Sequence, residues 1–291
     1  MIFPLVRELA VDNIPVAVTC RVLNLSRSGY YEWASRPPSP RSVADAALTA
    51  TIQDVHAMSR GSYGAPRVHA ELRLALGIGC GRKRVARLMK AAGLQGICHA
   101  RKRGKSRPAP APHEDLVQRR FVADAPDRLW ATDITEHPTA AGKVYCCAVL
   151  DVFSRAIVGW SIADHIRAEL VVDALQMATW RRRPAPGTVV HSDRGSQYTS
   201  WVFGHRLRQA GLLGSMGRVA SSVDNTTIES FWSTMQRELL DTRRWATQPQ
   251  LASAIFEWIE AWYNPRRRHT SLDNLAPAEF EALHTTAVTA A

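Results

Sequence analysis

The sequence predicts an α/β domain with mixed strand directions, preceded by a small, basic, all-helical region. Three apolar runs rich in β-branched and aromatic residues, at 129–137, 143–152 and 156–162, are joined by short turns and indicate strands of one sheet. Helical segments then alternate with two short strands, whereas the apolar spacing before residue 98 is helical. This order of elements is typical of an α/β sheet that contains both parallel and antiparallel pairs.

The charge of the chain is uneven. Lys and Arg total 37 against 26 Asp and Glu, which gives a net charge of +11. Residues 1–120 carry 20 basic and 8 acidic residues, and the remainder carries 17 and 18. The basic excess therefore predicts a polyanionic partner for the first part, while acidic residues of the second part are available for a site.

Composition excludes several classes of protein. No run approaches the ~18 to 20 apolar residues that span a bilayer, and the first residues lack the apolar core of a signal peptide. The five cysteines are odd in number and form no CxxC pair, so we expect reduced core thiols rather than disulfides or a zinc site. These features predict a soluble cytoplasmic protein without a membrane partner.

Two proline-containing breaks, at 36–40 and 101–115, predict the domain organisation. We expect a short helical segment with helix-turn-helix character at 1–40, a helix-turn-helix-like DNA-binding domain at 41–98, a basic Pro-rich linker at 99–120 and the α/β domain at 121–285.

A helix predicted at 81–92 has the pattern of a DNA-binding helix. Val85, Leu88 and Met89 form an apolar face, and basic residues cover the remainder, although a merely solvated amphipathic helix has the same pattern. The basic residues predicted to contact DNA in this helix and in the linker are Arg82, Lys83, Arg84, Arg87, Lys90, Arg101, Lys102, Arg103 and Lys105.

Three carboxylates have positions that suit metal chemistry. Asp133 lies inside the first predicted strand, Asp193 follows the fourth strand, and Glu229 lies at the rim of a helix near 226–240. Converging carboxylates repel one another unless hard divalent cations lie between them, and Mg²⁺ takes oxygen ligands of this kind. Spacing alone leaves open that all three are surface groups.

The motifs around these residues resemble a known family. WATDIT, HSDRGSQYTS, DNTTIESFW and YNPRRRHTSLDNLAPAEF follow in this order, and YGAPRVHAELR and GRKRVARLMKAAGLQG precede them. Together they resemble the second-frame product (OrfB) of a bacterial insertion-sequence transposase with a retroviral-integrase-like DDE core. The resemblance implies a ribonuclease-H-like fold and makes Asp133, Asp193 and Glu229 the catalytic, metal-binding triad, with two Mg²⁺ or Mn²⁺ ions per site.

The resemblance also implies the reaction and the partners. We expect a DNA transposase that binds element ends, cleaves a phosphodiester by in-line displacement and joins the resulting 3′-hydroxyl to a second phosphodiester. The expected partners are double-stranded DNA at the element ends and target, further copies of the chain on DNA, and an upstream-frame product or frameshift fusion. Such a protein is expected to be associated with the bacterial nucleoid.

Weaker predictions concern further DNA contacts and the departures from the family pattern. Gln236 stands where family members commonly carry Lys, two helical turns after Glu229, and Arg237 is rotated away from that face. For the remaining positions a structural turn, a helix cap or a solvated basic cluster is the alternative. The further residues predicted to contact DNA are Arg194, Gln197, Asn225, Arg237, Arg266, Arg267 and Arg268.

Two other functions stay open from the sequence. The first is a structure-selective nuclease on the same fold, and the second is a non-catalytic repressor from a decayed element that only occupies the ends. A zinc-bearing N-terminal domain is disfavoured because His56, His69, Cys80 and Cys98 are irregularly spaced.

Overall fold

The computed structural model describes residues 2–97, 122–216 and 226–290, with side chains up to residue 286. The chain divides into two compact units, 1–53 and 54–291. The division falls within a helix, Pro40–Met58, and residues 54–97 belong to the second unit. The domain bounds at 41–98 stay a prediction. The predicted linker, with Arg101, Lys102, Arg103 and Lys105, lies outside the described residues.

The first unit contains three short helices around a small core. Val6, Cys20 and Tyr30 are buried, and Phe3 and Trp33 pack against them. All three helices lie within the segment at 1–40 that the sequence predicts to be helical, and its helix-turn-helix character stays a prediction. The helices are α1 (Phe3–Val11), α2 (Val16–Val22) and α3 (Arg27–Ser35), followed by α4 (Pro40–Met58), which continues into the second unit.

The apolar spacing predicts a helix at 65–76 as well as the one at 81–92. Both predictions are confirmed by α5 (Ala65–Leu74) and α6 (Arg82–Ala91). Pro66 lies in the first turn of α5, where its missing N–H costs no hydrogen bond. Val85, Leu88 and Met89 are buried on one face of α6, as the apolar spacing predicts.

All five predicted strands are present, and they form one mixed sheet in the order β3-β2-β1-β4-β5. The first three strands pair antiparallel, whereas β1 pairs with β4, and β4 with β5, in parallel. The predicted mixture of strand directions is therefore confirmed. The strands are β1 (Leu129–Thr139), β2 (Gly142–Asp151), β3 (Ile157–Ala163), β4 (Val189–Ser192) and β5 (Leu213–Met216).

Helices α7 (Ala168–Arg182) and α8 (Trp201–Gln209) pack on the sheet through an apolar core. Trp130 is fully buried in that core, and its indole N–H donates to Asp127 Oδ1 at 3.0 Å. Trp130 is therefore a core anchor rather than a residue on which a base can stack. Gly159 lets β3 approach α7 closely, because a Cβ there would lie 2.6 Å from the Ala178 nitrogen.

The C-terminal helices differ from the predicted ones at their ends. Helix α9 (Thr226–Glu238) stops two residues early and continues as a 3₁₀ turn at Leu240–Thr242. The apolar spacing predicts one helix over 248–263, and this prediction is wrong at its end. Helix α10 (Gln248–Glu257) gives way to a π-helical segment at Trp258–Tyr263, which turns four aromatic and aliphatic side chains inward. The last helix is α11 (Pro277–Ala290).

The cysteines within the described residues are free thiols. Cys20, Cys146 and Cys147 are buried and Cys80 is half-buried, while Cys98 lies outside the described residues. None of the helices in the described parts of the chain combines the length and the apolar character that a membrane span requires.

Candidate active site

The parallel pairing of β1 with β4 brings two aspartates together. Thr132 pairs with Ser192, and both strands run in the same direction, so Asp133 and Asp193 follow at the same level of neighbouring strands. Asp193 comes directly after the end of β4, where the carboxyl ends of parallel strands line clefts. Two residues that are 60 positions apart in the sequence are thus neighbours because of strand register alone.

A tight turn after β4 fixes the exposed carboxylate of Asp193. Its Oδ1 atom accepts a hydrogen bond from the backbone N–H of Gly195 at 2.9 Å. A Cβ on residue 195 would lie 3.1 Å from the same oxygen and 3.0 Å from Gln197 Oε1. Glycine at position 195 therefore lets the loop fold over the carboxylate without crowding it.

Helix α9 brings Glu229 towards the same edge of the sheet. The indole N–H of Trp232 donates to Asp133 Oδ2 at 3.1 Å, and Glu229 lies three residues earlier on the same helical face. Ile228 and Met235 lie on an adjacent face of the helix, where they are fully buried and anchor it to the domain core. Glu229 stays exposed at the rim, as the sequence predicts.

The hydrogen bond from the Trp232 indole to Asp133 was not predicted from the sequence. An amphipathic pattern assigns Trp232 to the core, and nothing in that pattern reveals a polar partner on a distant strand. A tryptophan one helical turn after a candidate carboxylate was the available signal, since a half-buried indole N–H requires an acceptor.

Electrostatics couple the three carboxylates. Burial, together with the negative charges of Asp193 and Glu229, raises the pKa of Asp133 from 3.8 to about 7. The backbone N–H of Ile134 and the indole of Trp232 oppose this shift. Burial also raises the pKa of Glu229. The site therefore favours a proton or a cation that offsets its negative charge.

The oxygen donors fit a hard divalent cation such as Mg²⁺ or Mn²⁺, which carboxylates bind in preference to softer metals. Within 2–97, 122–216 and 226–290, no three Asp, Glu, His or Cys side chains are close enough to enclose one ion. The carboxylates are thus within electrostatic range of one another without being gathered around a single point.

A buried polar layer supports the strand that carries Asp133. Tyr198 Oη lies 3.3 Å from Thr132 Oγ1 and 3.7 Å from Cys147 Sγ. Burial raises the pKa of the Cys147 thiol to about 12, so this cysteine stays protonated and is not a nucleophile. His191 is also buried, and its Nδ1 lies 3.1 Å from Ser215 Oγ. Tyr198 and His191 therefore order the sheet rather than reach a phosphate.

Most of the residues predicted to contact DNA are at the surface. Arg82, Lys83, Arg87 and Lys90 are exposed on α6, and Arg84 is half-exposed. Four other predicted residues also have accessible side chains, whereas Asn225 lies outside the described residues. The four are Arg194 and Gln197 in the loop after β4, Arg237 on α9 and Arg266 after the π-helical segment.

Two predicted DNA contacts are corrected by the structure. Arg267 and Arg268 are each 3% exposed. The Arg267 guanidinium donates to both carboxylate oxygens of Glu238, at 2.9 and 2.7 Å, and Arg268 donates to Glu71 at 2.6 Å and Glu279 at 2.5 Å. Both arginines hold elements of the protein together, so they are not surface groups that can grip DNA.

The position that family members commonly fill with Lys has a partner of its own. Gln236 Nε2 donates to Asp241 Oδ1 at 2.6 Å, across the 3₁₀ turn that follows α9. Arg237 Nη1 donates to Ser233 Oγ at 2.7 Å on its own helix. Gln236 therefore joins the end of α9 to the 3₁₀ turn that follows it.

Three family models match this chain. An integrase core domain matches residues 123–222, a second integrase core model matches residues 211–277, and an HTH-like domain matches residues 43–103. Together with the mixed sheet, these matches confirm the predicted fold class of a ribonuclease-H-like integrase core after a helix-turn-helix-like region.

Curated relatives are similar over most of the chain. The transposase for insertion sequence element IS904 of Lactococcus lactis is 38% identical over 84% of this chain and 98% of the relative. The transposase for IS629 of Shigella sonnei is 37% identical over 96% of this chain and 95% of its own. Transposase InsF for IS3A of Escherichia coli is 34% identical over 91% and 93%, respectively. Among solved structures, the HTLV-2 integrase catalytic core in complex with magnesium is 15% identical over 54% of this chain and 98% of that chain, with a TM-score of 0.40.

Proposed function

The chain belongs to the family of insertion-sequence transposases, and we propose that Asp133, Asp193 and Glu229 are its catalytic triad. The integrase core and the HTH-like domain make the protein a DNA-binding polynucleotidyl transferase that depends on a divalent metal. The observation that carries the assignment of the triad is the hydrogen bond from Trp232 to Asp133, which ties the helix of Glu229 to the strand of the first aspartate.

We assign the metal to carboxylate oxygens of all three residues, with two Mg²⁺ or Mn²⁺ ions per site. When bound, such ions lower the pKa of the attacking hydroxyl group or water and stabilise the leaving oxygen. The raised pKa of Asp133 supports this assignment, because a half-buried carboxyl that is reluctant to ionise becomes a metal ligand only when cationic charge is close.

Hydrogen-bond donors of the protein hold the two aspartate carboxylates in position. The Gly195 N–H fixes one oxygen of Asp193, and the Trp232 indole fixes one oxygen of Asp133, so each aspartate presents its other oxygen in a defined direction. The exposed basic face of α6 binds the phosphates of an element end, and Arg194 and Gln197 lie beside Asp193, where they contact the strand being cut.

Assembly is the other part of the proposal. Two element ends must be held together for joining, so we expect at least two copies of the chain on DNA. An upstream-frame product or a frameshift fusion would add recognition of the ends. The proposed place of action is the bacterial nucleoid.

The decisive experiment measures cleavage and joining of labelled DNA that carries the element's ends, with Mg²⁺ or Mn²⁺. Glu229→Gln keeps the shape of the side chain and removes a metal-binding charge, so this variant should bind the ends and neither cut nor join them. Glu169→Gln is the matched control, because Glu169 is also an acidic residue in the first turn of a helix of the domain. It should retain activity.

The outcomes separate the alternatives. Equal activity of Glu229→Gln and wild type would refute the triad. An inactive wild-type chain that still binds the ends, both alone and as the fused product, would indicate the non-catalytic repressor. Cutting that depends on DNA structure rather than on end sequence would indicate the nuclease.

A further inference from the structure

A cleft of about 160 Å³ lies beside α9, away from the triad, within the second unit of the chain. Its walls come from α5, from the turn between β2 and β3, from α9 and from the segment after the π-helical turn. Basic and hydroxyl side chains dominate these walls. Those that carry the argument are Arg67, Arg155, Thr227, Ser230, Thr270 and Ser271.

The cleft and the triad use opposite faces of α9. Thr227 and Ser230 line the cleft, whereas Glu229 and Trp232 face the edge of the sheet that carries Asp133. Two residues along an α-helix correspond to a rotation of about 200°, so Thr227 points away from Glu229, and Ser230 away from Trp232. The cleft is therefore separate from the catalytic carboxylates.

Positive charge in the cleft exceeds the negative charge beside it. Arg67, Arg155 and Arg267 are in its walls, and Glu238 is the carboxylate that pairs with two of them. Arg267 binds Glu238 in a bidentate pair, and Arg67 Nη1 lies 3.9 Å from the same carboxylate. Among the described residues no carboxylate pairs with the half-buried Arg155. Three guanidinium groups against one carboxylate leave an excess of two positive charges.

The pKa values of two neighbouring groups reflect the same excess of positive charge. Burial and then the charges of Arg267, Arg67 and Arg155 lower the pKa of His269, which lines the cleft, well below its ordinary value. Burial and the charge of Arg267 also lower the pKa of Arg67. His269 is therefore neutral and adds no charge, while the arginines repel one another across the cleft.

We propose that this cleft binds a single phosphate group. Arg67 and Arg155 provide guanidinium N–H donors that match the geometry of a tetrahedral oxyanion, and hydroxyl groups at the mouth provide neutral donors. Arg267 stays paired with Glu238 and adds to the positive potential in the cleft without binding the phosphate directly. A bound phosphate offsets the charge excess that the protein's own carboxylates leave.

Two sources supply this chemistry: inorganic phosphate in solution and a phosphodiester of a DNA backbone. The DNA source rests on the proposed function, because it requires the protein to hold DNA along the side of α9 remote from the triad. Phosphate binding itself needs neither DNA nor catalysis, so failure of the cleft and failure of the triad give different results.

The first test measures the thermal unfolding midpoint of the full chain as inorganic phosphate is added, against NaCl of equal ionic strength. A ligand that binds the folded state raises this midpoint with its concentration. Arg155→Gln should require at least ten times more phosphate than wild type for the same rise. Arg183→Gln is the matched control, because Arg183 is exposed and also adopts a left-handed backbone, with φ of 46° against 64° at Arg155.

A second variant guards against a folding defect in Arg155→Gln. Ser271 is exposed at the mouth of the cleft, so Ser271→Asp should fold normally and repel phosphate. Both variants should require at least ten times more phosphate than wild type for the same rise, whereas Arg183→Gln and Glu229→Gln should respond as wild type does. A wild-type midpoint that phosphate raises no more than NaCl does would overturn the proposal, and so would an undiminished response in both cleft variants.

The second test distinguishes the two sources by measuring affinity for duplex DNA over a range of salt concentrations. If the cleft holds a backbone phosphate, Arg155→Gln weakens binding and lowers the salt slope by about one, as expected for one lost phosphate contact. If Arg155→Gln loses the phosphate response and binds DNA as wild type does, the cleft takes a free phosphate group.

Discussion

The indole nitrogen of Trp232 lies 3.1 Å from the Oδ2 atom of Asp133, which joins α9 to the central strand of the sheet. This bond connects residues 99 positions apart and sets the direction of one carboxylate oxygen in the proposed triad. Its strength should therefore affect both metal binding and catalysis.

Trp232→Phe should lower the rate of DNA cleavage about 10- to 100-fold, because a hydrogen bond to a charged group contributes roughly 1.5–3 kcal/mol. An aromatic ring still fills most of the space, and the pKa of Asp133 rises further because the indole N–H no longer holds it down. The pH profile of cleavage should move to higher pH. Trp160→Phe is the control, because Trp160 makes an indole–carboxylate bond to Glu260 at 2.7 Å. An unchanged profile in Trp232→Phe would contradict a positioning role.

Metal-free protein should lose stability as pH rises between 3.8, the ordinary pKa of an aspartate, and about 7, the pKa of Asp133 in the folded state. In this window the folded chain holds a proton on Asp133 that the unfolded chain has lost, so raising the pH favours unfolding. Urea denaturation across the window measures the slope, and Asp133→Asn should reduce it. Added Mg²⁺ should bind more tightly as pH rises, since binding displaces that proton. An identical slope in Asp133→Asn would disprove the assigned pKa.

Arg267→Met should destabilise the fold by about 3 kcal/mol, because it removes the bidentate partner of the buried Glu238 and leaves only Arg67, 3.9 Å away, near that charge. Urea denaturation of the variant measures the loss. The double variant Arg267→Met with Glu238→Gln should recover part of it, since the uncompensated charge is then gone. A loss below about 1 kcal/mol would argue that water reaches Glu238.

Gly159→Ala should destabilise the protein by about 1–3 kcal/mol through overpacking between β3 and α7. The added methyl group would meet the Ala174 carbonyl oxygen, and it would lie 2.8 Å from the Ala178 Cβ, so backbone has to move. Gly79→Ala is the control, because nothing lies within 4 Å of a Cβ at position 79. Thermal unfolding should separate the two variants, and equal midpoints would contradict the close approach.

Gln236→Lys should strengthen DNA binding only slightly, because Asp241 accepts a hydrogen bond from residue 236 and would hold the new ammonium group. Adding Asp241→Asn should release that charge and increase the salt slope of duplex binding by about one. Asp241→Asn alone provides the baseline. A large gain from Gln236→Lys by itself would mean that the side chain leaves Asp241 for DNA.

The sheet could be predicted because its strands have local signals. Apolar runs with turns between them marked β1 to β5, and the strand positions of Asp133 and Asp193 followed from those runs. The end of α10 could not be predicted, since the apolar spacing of an α-helix and of a π-helical turn is nearly the same over Trp258–Tyr263.

The basic run near residue 266 illustrates the limit for site residues. Three consecutive arginines look alike in sequence, yet Arg266 is exposed while Arg267 and Arg268 are enclosed by carboxylates 29 and 197 positions away. Long-range partners decide whether an arginine is available to DNA, and no local pattern contains them. The hydrogen bond from Trp232 to Asp133 could not be predicted for the same reason, since its two residues are far apart in the sequence.

The order of elements along the chain determines when each part of the proposed triad is synthesised. Strands β1 to β3 can pair as antiparallel neighbours once residue 163 is made, whereas Asp193 and Glu229 follow Asp133 by 60 and 96 positions. Long-range pairing is slower to form than local hairpins. A chain that is complete only up to α8 can therefore form these antiparallel strand pairs while it still lacks Glu229 of the proposed triad.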